Sequence, residues 1–196
     1  MVDYKKYIWD YFLERIGNEF GVAGLMGNLQ AESNLKPNNL QNSYETSLGY
    51  TDISYTEAVD NGSYDRLSFI NDSAGYGLAQ WTYSSRKQGL YDQYKAGNYD
   101  SIGSIKLACD YLLYELQKDY YGVMSVLISA TSIRQASDKV LHDFENPADQ
   151  SESVEIYRAS LGTAIYNELS GTAPLSKTKK KNFNFVLFNR NRRFKV

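Results

Sequence analysis

Between Asn18 and Glu32 the chain sets glycine at every third position, Gly21, Gly24 and Gly27, within a run whose other members are mostly small or apolar. Each glycine costs a helix about 1 kcal/mol relative to alanine. Three of them in one helix must be offset by packing, and a bare backbone edge lets a neighbouring element approach closely. The run Gly24-Leu25-Met26-Gly27-Asn28-Leu29-Gln30-Ala31 therefore predicts a buried helix, opened by Asn18 and Glu19 and ending near Glu32, with Pro37 soon after. A chain with such a helix is expected to be mainly α.

Glu32 closes that helix. The partial negative charge of a helix C-terminus and nearby apolar walls both disfavour an ionised carboxylate. A carboxylic acid kept protonated near neutral pH can protonate a departing sugar oxygen. For an isolated glutamate, solvent exposure is the commoner state, but a second segment changes the balance. Asp72-Ser73-Ala74-Gly75-Tyr76-Gly77-Leu78-Ala79-Gln80-Trp81-Thr82 holds two glycines around a tyrosine, and reads as tight turns with a short strand from Gly77 to Trp81. Tyr76 and Trp81 offer flat apolar faces and Gln80 an amide that donates and accepts, which suits the C–H faces and hydroxyl edges of a sugar. The competing reading is a structural hairpin whose aromatics fill the core.

Together, Glu32-Ser33-Asn34-Leu35-Lys36-Pro37 (Glu-Ser-x-x-x-Pro) and Ser73 to Gln80 (Ser-x-Gly-x-Gly-Leu-x-Gln) resemble the lysozyme-like superfamily of goose-type lysozymes and lytic transglycosylases. The runs 28–33, 38–45, 72–82, Arg86-Lys87 and Phe144 to Ser151 resemble, more narrowly, the phage tail lysozyme family, over about Tyr4 to Leu169. The resemblance implies a mainly α, lysozyme-like (α+β) fold with a small β-hairpin region bordering the substrate cleft. It also implies action on peptidoglycan glycan strands as an N-acetylmuramidase, in the setting of a phage tail, a conjugative element or a larger parent protein. A lytic transglycosylase, using the muramic 6-hydroxyl in place of water, is the enzymatic alternative. A non-catalytic glycan-binding tail module is the alternative of another class.

On this reading Glu32 is the general acid. A second group is sought among Glu45, Asp52, Asp60, Asp65 and Asp72, with Asp72 preferred for its place before the glycine-rich strand and Glu45 next. Gln30, Tyr76, Gln80 and Trp81 form the expected substrate contacts, joined by Tyr166 from the last helix, for which core packing is the rival. Glu145 repeats the Glu-then-Pro geometry of Glu32, yet a structural role is expected for it: accepting N–H bonds at the start of the next helix, or pairing with Arg158.

The rest of the chain reads as helices. Asp3 is positioned to cap a first helix to Ile16. A polar stretch, 34–54, is too long for a simple connector. A short helix over 55–60 is stopped by Asn61-Gly62, a small hairpin region spans 63–82, and helices follow over 84–95, 104–117, 121–129, 132–144 and 151–169. Ser132 and Ser151 are the expected N-caps and Gly171 the terminator.

With 196 residues, 42% hydrophobic and 22% charged, the chain suits one globular domain, residues 1–170. Tyrosine is abundant, 18 against 2 tryptophans, as suits a polymer-binding groove or side chains bridging core and surface. Residues 171–196 carry 8 basic side chains and no acid, so the body, with 13 basic residues against 23 acids, is near −10. An acidic body argues against nucleic-acid binding. The tail is expected to be a disordered linker, with attraction to anionic wall polymers or a membrane surface as the sharper alternative. Cys109 is single and sits in an apolar helical run, and His142 is the only histidine. No metal set is formed and no cofactor is expected. The opening Met1 to Asp10 carries acids within its apolar run and is not read as a secretory signal, so delivery to the cell wall by a virion tail or a parent protein, or export by other means, is expected.

Overall fold

The computed structural model describes residues 3–172; beyond its first two residues the basic tail lies outside the described residues. The fold is mainly α, as expected. Its helices are α1 (Tyr4–Ile16), α2 (Glu19–Ser33), α3 (Asn42–Leu48), α4 (Asp52–Asn61), α5 (Arg66–Asn71), α6 (Ser84–Ala96), α7 (Ile105–Lys118), α8 (Tyr121–Ser129), α9 (Ile133–Val140) and α10 (Glu152–Leu169), with a single π-helical turn, Leu141–Glu145, continuing α9.

Helix α2 is the hub, packed by α1, α8, α9 and α10. Every residue from Gly21 to Leu29 is buried, as befits a helix apolar on all sides. Its glycines do not serve one neighbour; each admits a different helix. A Cβ on Gly21 would lie 1.9 Å from Leu127 O of α8, one on Gly24 2.5 Å from Ala136 Cβ of α9, and one on Gly27 2.4 Å from Arg158 O of α10. At about 100° per residue, positions three apart are offset by about 60° around the axis, so the repeat fans across three partners. The α10 contact is reciprocal, because a Cβ on Gly162 would lie 2.6 Å from Ala23 O.

Local rules account for the ends. Asp3, Asn18 and Ser132 accept N–H bonds as side-chain caps, and Gly62 closes α4 in the left-handed conformation at φ 81°. Ser151 stands at the α10 N-cap without a side-chain bond. The polar stretch 34–54, read as too long for a simple connector, holds α3, which buries none of its residues.

In place of a hairpin ladder, residues 63–82 contain α5 and a closed loop. Among the described residues the β-structure here is two isolated antiparallel bridges, Leu40 with Tyr76 and Tyr76 with Trp81. Tyr76 and Trp81 exchange backbone bonds at 3.2 and 2.9 Å around a turn in which Gly77 (φ 78°) and Gln80 (φ 44°) are both left-handed. Residues in the left-handed region are not extended, so no strand runs continuously from Gly77 to Trp81.

A candidate active-site cleft between two glutamates

The end of α2 is fixed from two sides. Ser33 Oγ lies 2.7 Å from Leu78 O, tying the helix to the 76–81 loop. The chain then leaves through Asn34 and Leu35, both at positive φ (54° and 59°), and Leu35 is buried. A buried leucine in that region is held there by its surroundings at a cost of about 1–3 kcal/mol. Asn28 and Glu32, four residues apart, share one helix face. Arg158 of α10 meets both: its guanidinium donates to Asn28 Oδ1 at 3.2 Å and to Glu32 Oε1 at 2.5 Å. The Asn28 amide nitrogen donates to Gly24 O, Ser137 O and Ser137 Oγ at 3.0–3.1 Å, locking α2, α9 and α10 around the pair. The Glu32 side chain keeps 20% exposure and Arg158 10%.

That exposure opens on a cleft of about 330 Å³. Glu32 forms one side; Ala79, Gln80, Thr82, Tyr83 and Arg86 line it from the loop and the start of α6; Gln41 contributes from the N-cap of α3; and Glu145 and Pro147 face in from the end of the π-turn. Gln80 is braced by donating to Asn39 O and Gly77 O at 3.0 and 3.1 Å. Arg86 is held by two bonds of 2.8 Å to Glu115, which also accepts from Trp81 Nε1 at 2.7 Å. The Arg86 guanidinium lies 4.5 Å over the Phe144 ring, adjoining Glu145.

Glu145, expected from the sequence to have a structural role, also lines this cleft. The expected pair with Arg158 is not made; Arg158 is engaged by Glu32 instead. Among the described residues Glu145 Oε1 is buried without a hydrogen-bond partner. Burial first, and the Glu32 charge second, push its carboxyl up to about 8, against the opposing pull of Arg86 and Arg158. The π-turn puts it there. One wider turn adds a residue to the helical circuit and re-aims the side chains after it, so Glu145 faces the cleft rather than following the α9 periodicity. The Glu-then-Pro echo of Glu32 was the only sign of it in the sequence.

The other expected site residues fall elsewhere. Tyr76 and Trp81 have no exposed surface, so neither presents a face to a ligand. Tyr76 packs among Tyr55 and Phe69, and Trp81 against Tyr111. The Asp72 side chain is 3% exposed beside Lys87 at 0%. It accepts from Lys87 Nζ and Tyr55 OH, from Tyr64 OH at 3.2 Å and from Ala74 N at 3.0 Å. Asp52 accepts from Leu40 N, Asp60 from Ile102 N and Asp65 from Ser68 N, at 2.7–2.8 Å. Glu45 is half-buried on α3 and does not line the cleft. Gln30 bonds Asn34 and is not among the residues lining the cleft, and Tyr166 packs on Phe20 with ring centroids 5.3 Å apart. Of the expected set, the cleft gathers Glu32 and Gln80.

The described residues form a mainly helical domain organised on one buried helix, with a glutamate near its end lining a groove. The family model for phage tail lysozyme matches residues 3–169, and the chain belongs to that family, whose setting is the phage tail and whose substrate is peptidoglycan. No curated protein matches the chain.

Proposed function

We infer that the chain is an N-acetylmuramidase, hydrolysing the β-1,4 bond between N-acetylmuramic acid and N-acetylglucosamine, with residues 1–170 as the working domain. It acts on the cell wall from a phage tail, a conjugative element or a larger parent protein. The observation that carries this reading is Glu32, partly exposed in the cleft and fixed by Arg158 at the end of the buried α2. Its role is to protonate the leaving sugar oxygen. Gln80, held rigidly by its backbone bonds, lines the path of the glycan.

A lytic transglycosylase needs a single acid–base group. A second carboxyl in the same cleft favours a reaction in which water must be activated, and so hydrolysis. A purely binding module gives no account of a buried carboxyl oxygen without a partner. The test is mass analysis of muropeptides released from Gram-positive peptidoglycan by the parent and by Glu32→Gln. Reducing muramic ends from the parent alone are expected. Anhydro-muramic ends would move the protein to the transglycosylases, and no new glycan ends would leave the binding module in front.

A further inference from the structure

We propose that Glu145 is the second catalytic carboxyl of this cleft, taking a proton from the attacking water while Glu32 protonates the leaving sugar oxygen. The proposal rests on the glycosidase reading above and assigns the group that reading leaves open.

Three observations converge on it. Glu145 and Glu32 line the same cleft from different elements, the π-turn after α9 and the end of α2. The Glu145 Oε1 is buried without a partner, whereas Asp52, Asp60 and Asp72 are bonded to donors within the fold and Asp65 is an exposed N-cap bonded to Ser68 N. A buried polar atom left unpaired costs about 1–3 kcal/mol, a cost that a structural glutamate would relieve through the neighbouring arginines. Finally, its segment is a π-turn, a geometry that departs from the α-helix and is common at functional sites.

The bookkeeping of the reaction closes on this pair. The water oxygen bonds to the anomeric carbon of the muramic residue, and the bond from that carbon to the glycosidic oxygen breaks. The Glu32 proton goes to the departing oxygen, and the water proton goes to Glu145. Two interacting carboxyls hold one proton between them over a range of pH, and one proton is what the step needs before and after. Burial and the neighbouring Glu32 charge push the Glu145 carboxyl up to about 8, so the pair is electrostatically linked across the cleft.

The experiment is digestion of Gram-positive peptidoglycan by Glu145→Ala, with and without sodium azide, read by muropeptide mass spectrometry. Azide needs no base, so it attacks the anomeric carbon while Glu32 still protonates the leaving oxygen. Cleavage is expected to fall about 100-fold or more and to return with azide as products ending in muramyl azide. Glu145→Gln, which keeps the shape, is expected to be equally slow while retaining the parent's circular dichroism. Cleavage by either variant within about threefold of the parent, or a loss that azide does not restore as a muramyl azide, overturns the assignment and leaves the muramidase reading intact. A parent that makes no new glycan ends overturns both.

Discussion

Replacing Glu145 by glutamine should make the protein more stable while it disables the cleft, and the gain should depend on pH in one direction. In the unfolded chain the carboxyl titrates near 4.5, and in the fold it is pushed up to about 8. At low pH both states carry the proton and the group contributes nothing. As pH rises from 4.5 towards 8 the unfolded chain releases its proton while the folded one keeps it, so stability falls by about 1.4 kcal/mol per pH unit. By neutral pH that amounts to a ceiling of about 3 kcal/mol. Glu145 borders an open cleft, and water there reduces the penalty, so about half the ceiling is expected. Glutamine does not titrate and escapes it. For a domain of this size the difference corresponds to about 3–6 °C in melting temperature near pH 7, shrinking towards zero near pH 4.5. Paired thermal melts of parent and Glu145→Gln across that range measure it. A difference that is flat with pH, or a variant less stable than the parent near pH 8, would refute the argument from burial.

Other expectations follow from the same geometry. Glu32→Gln should lower muropeptide release by about 10²–10⁴ and lower the melting temperature, because the largely buried Arg158 loses its carboxylate partner; residual activity near the parent's would remove Glu32 from the chemistry. Asp72→Asn leaves the Lys87 ammonium buried without its counter-charge and should cost about 3–5 kcal/mol in urea unfolding. Its rate per folded molecule should stay within a few-fold of the parent, whereas a large fall in that rate would return Asp72 to the list of catalytic groups. Gly27→Ala drives a methyl to 2.4 Å from Arg158 O, so α10 must retreat at about 1–3 kcal/mol and carry Arg158 away from Glu32. Lower stability with an unaltered rate would argue against that coupling.

The parts of the fold legible in the sequence are those governed by neighbours along the chain. Asp3, Asn18 and Ser132 begin helices because a short oxygen-bearing side chain can reach the free N–H groups there. Gly62 ends α4 because its αL conformation suits glycine. The glycine repeat of α2 announced a buried helix, but not that each glycine meets a different partner. Helix α3 buries nothing, so no apolar stripe announced it. The aromatics of the 76–81 loop were harder still. Tyrosine and tryptophan have an apolar body and a polar tip, and the same composition serves a sugar platform or a core. Here the tip finds its partner inside: Trp81 Nε1 reaches Glu115 at 2.7 Å, and the Tyr76 hydroxyl bonds Thr56 at 2.8 Å. Once those bonds are available, full burial is affordable for both rings.

The same accounting of partners separates the carboxylates. Position in the chain favoured Asp72, which precedes the glycine-rich loop, yet it is surrounded by Lys87, Tyr55, Tyr64 and the Ala74 amide. A carboxylate so enclosed has spent its lone pairs on holding the loop, and would have to break that network to reach a substrate. Glu145 stands at the opposite extreme, with a buried oxygen that nothing in the described fold engages. Arg86 is committed to Glu115 and Arg158 to Glu32, so the two nearby cations lend it charge without closing it off. Which carboxylate keeps its oxygens free is decided by residues far apart in sequence, brought together only when α2, α9 and α10 pack. On the proposed assignment, the unspent hydrogen-bonding capacity of a side chain guides the chemistry of this cleft better than its distance along the chain from Glu32.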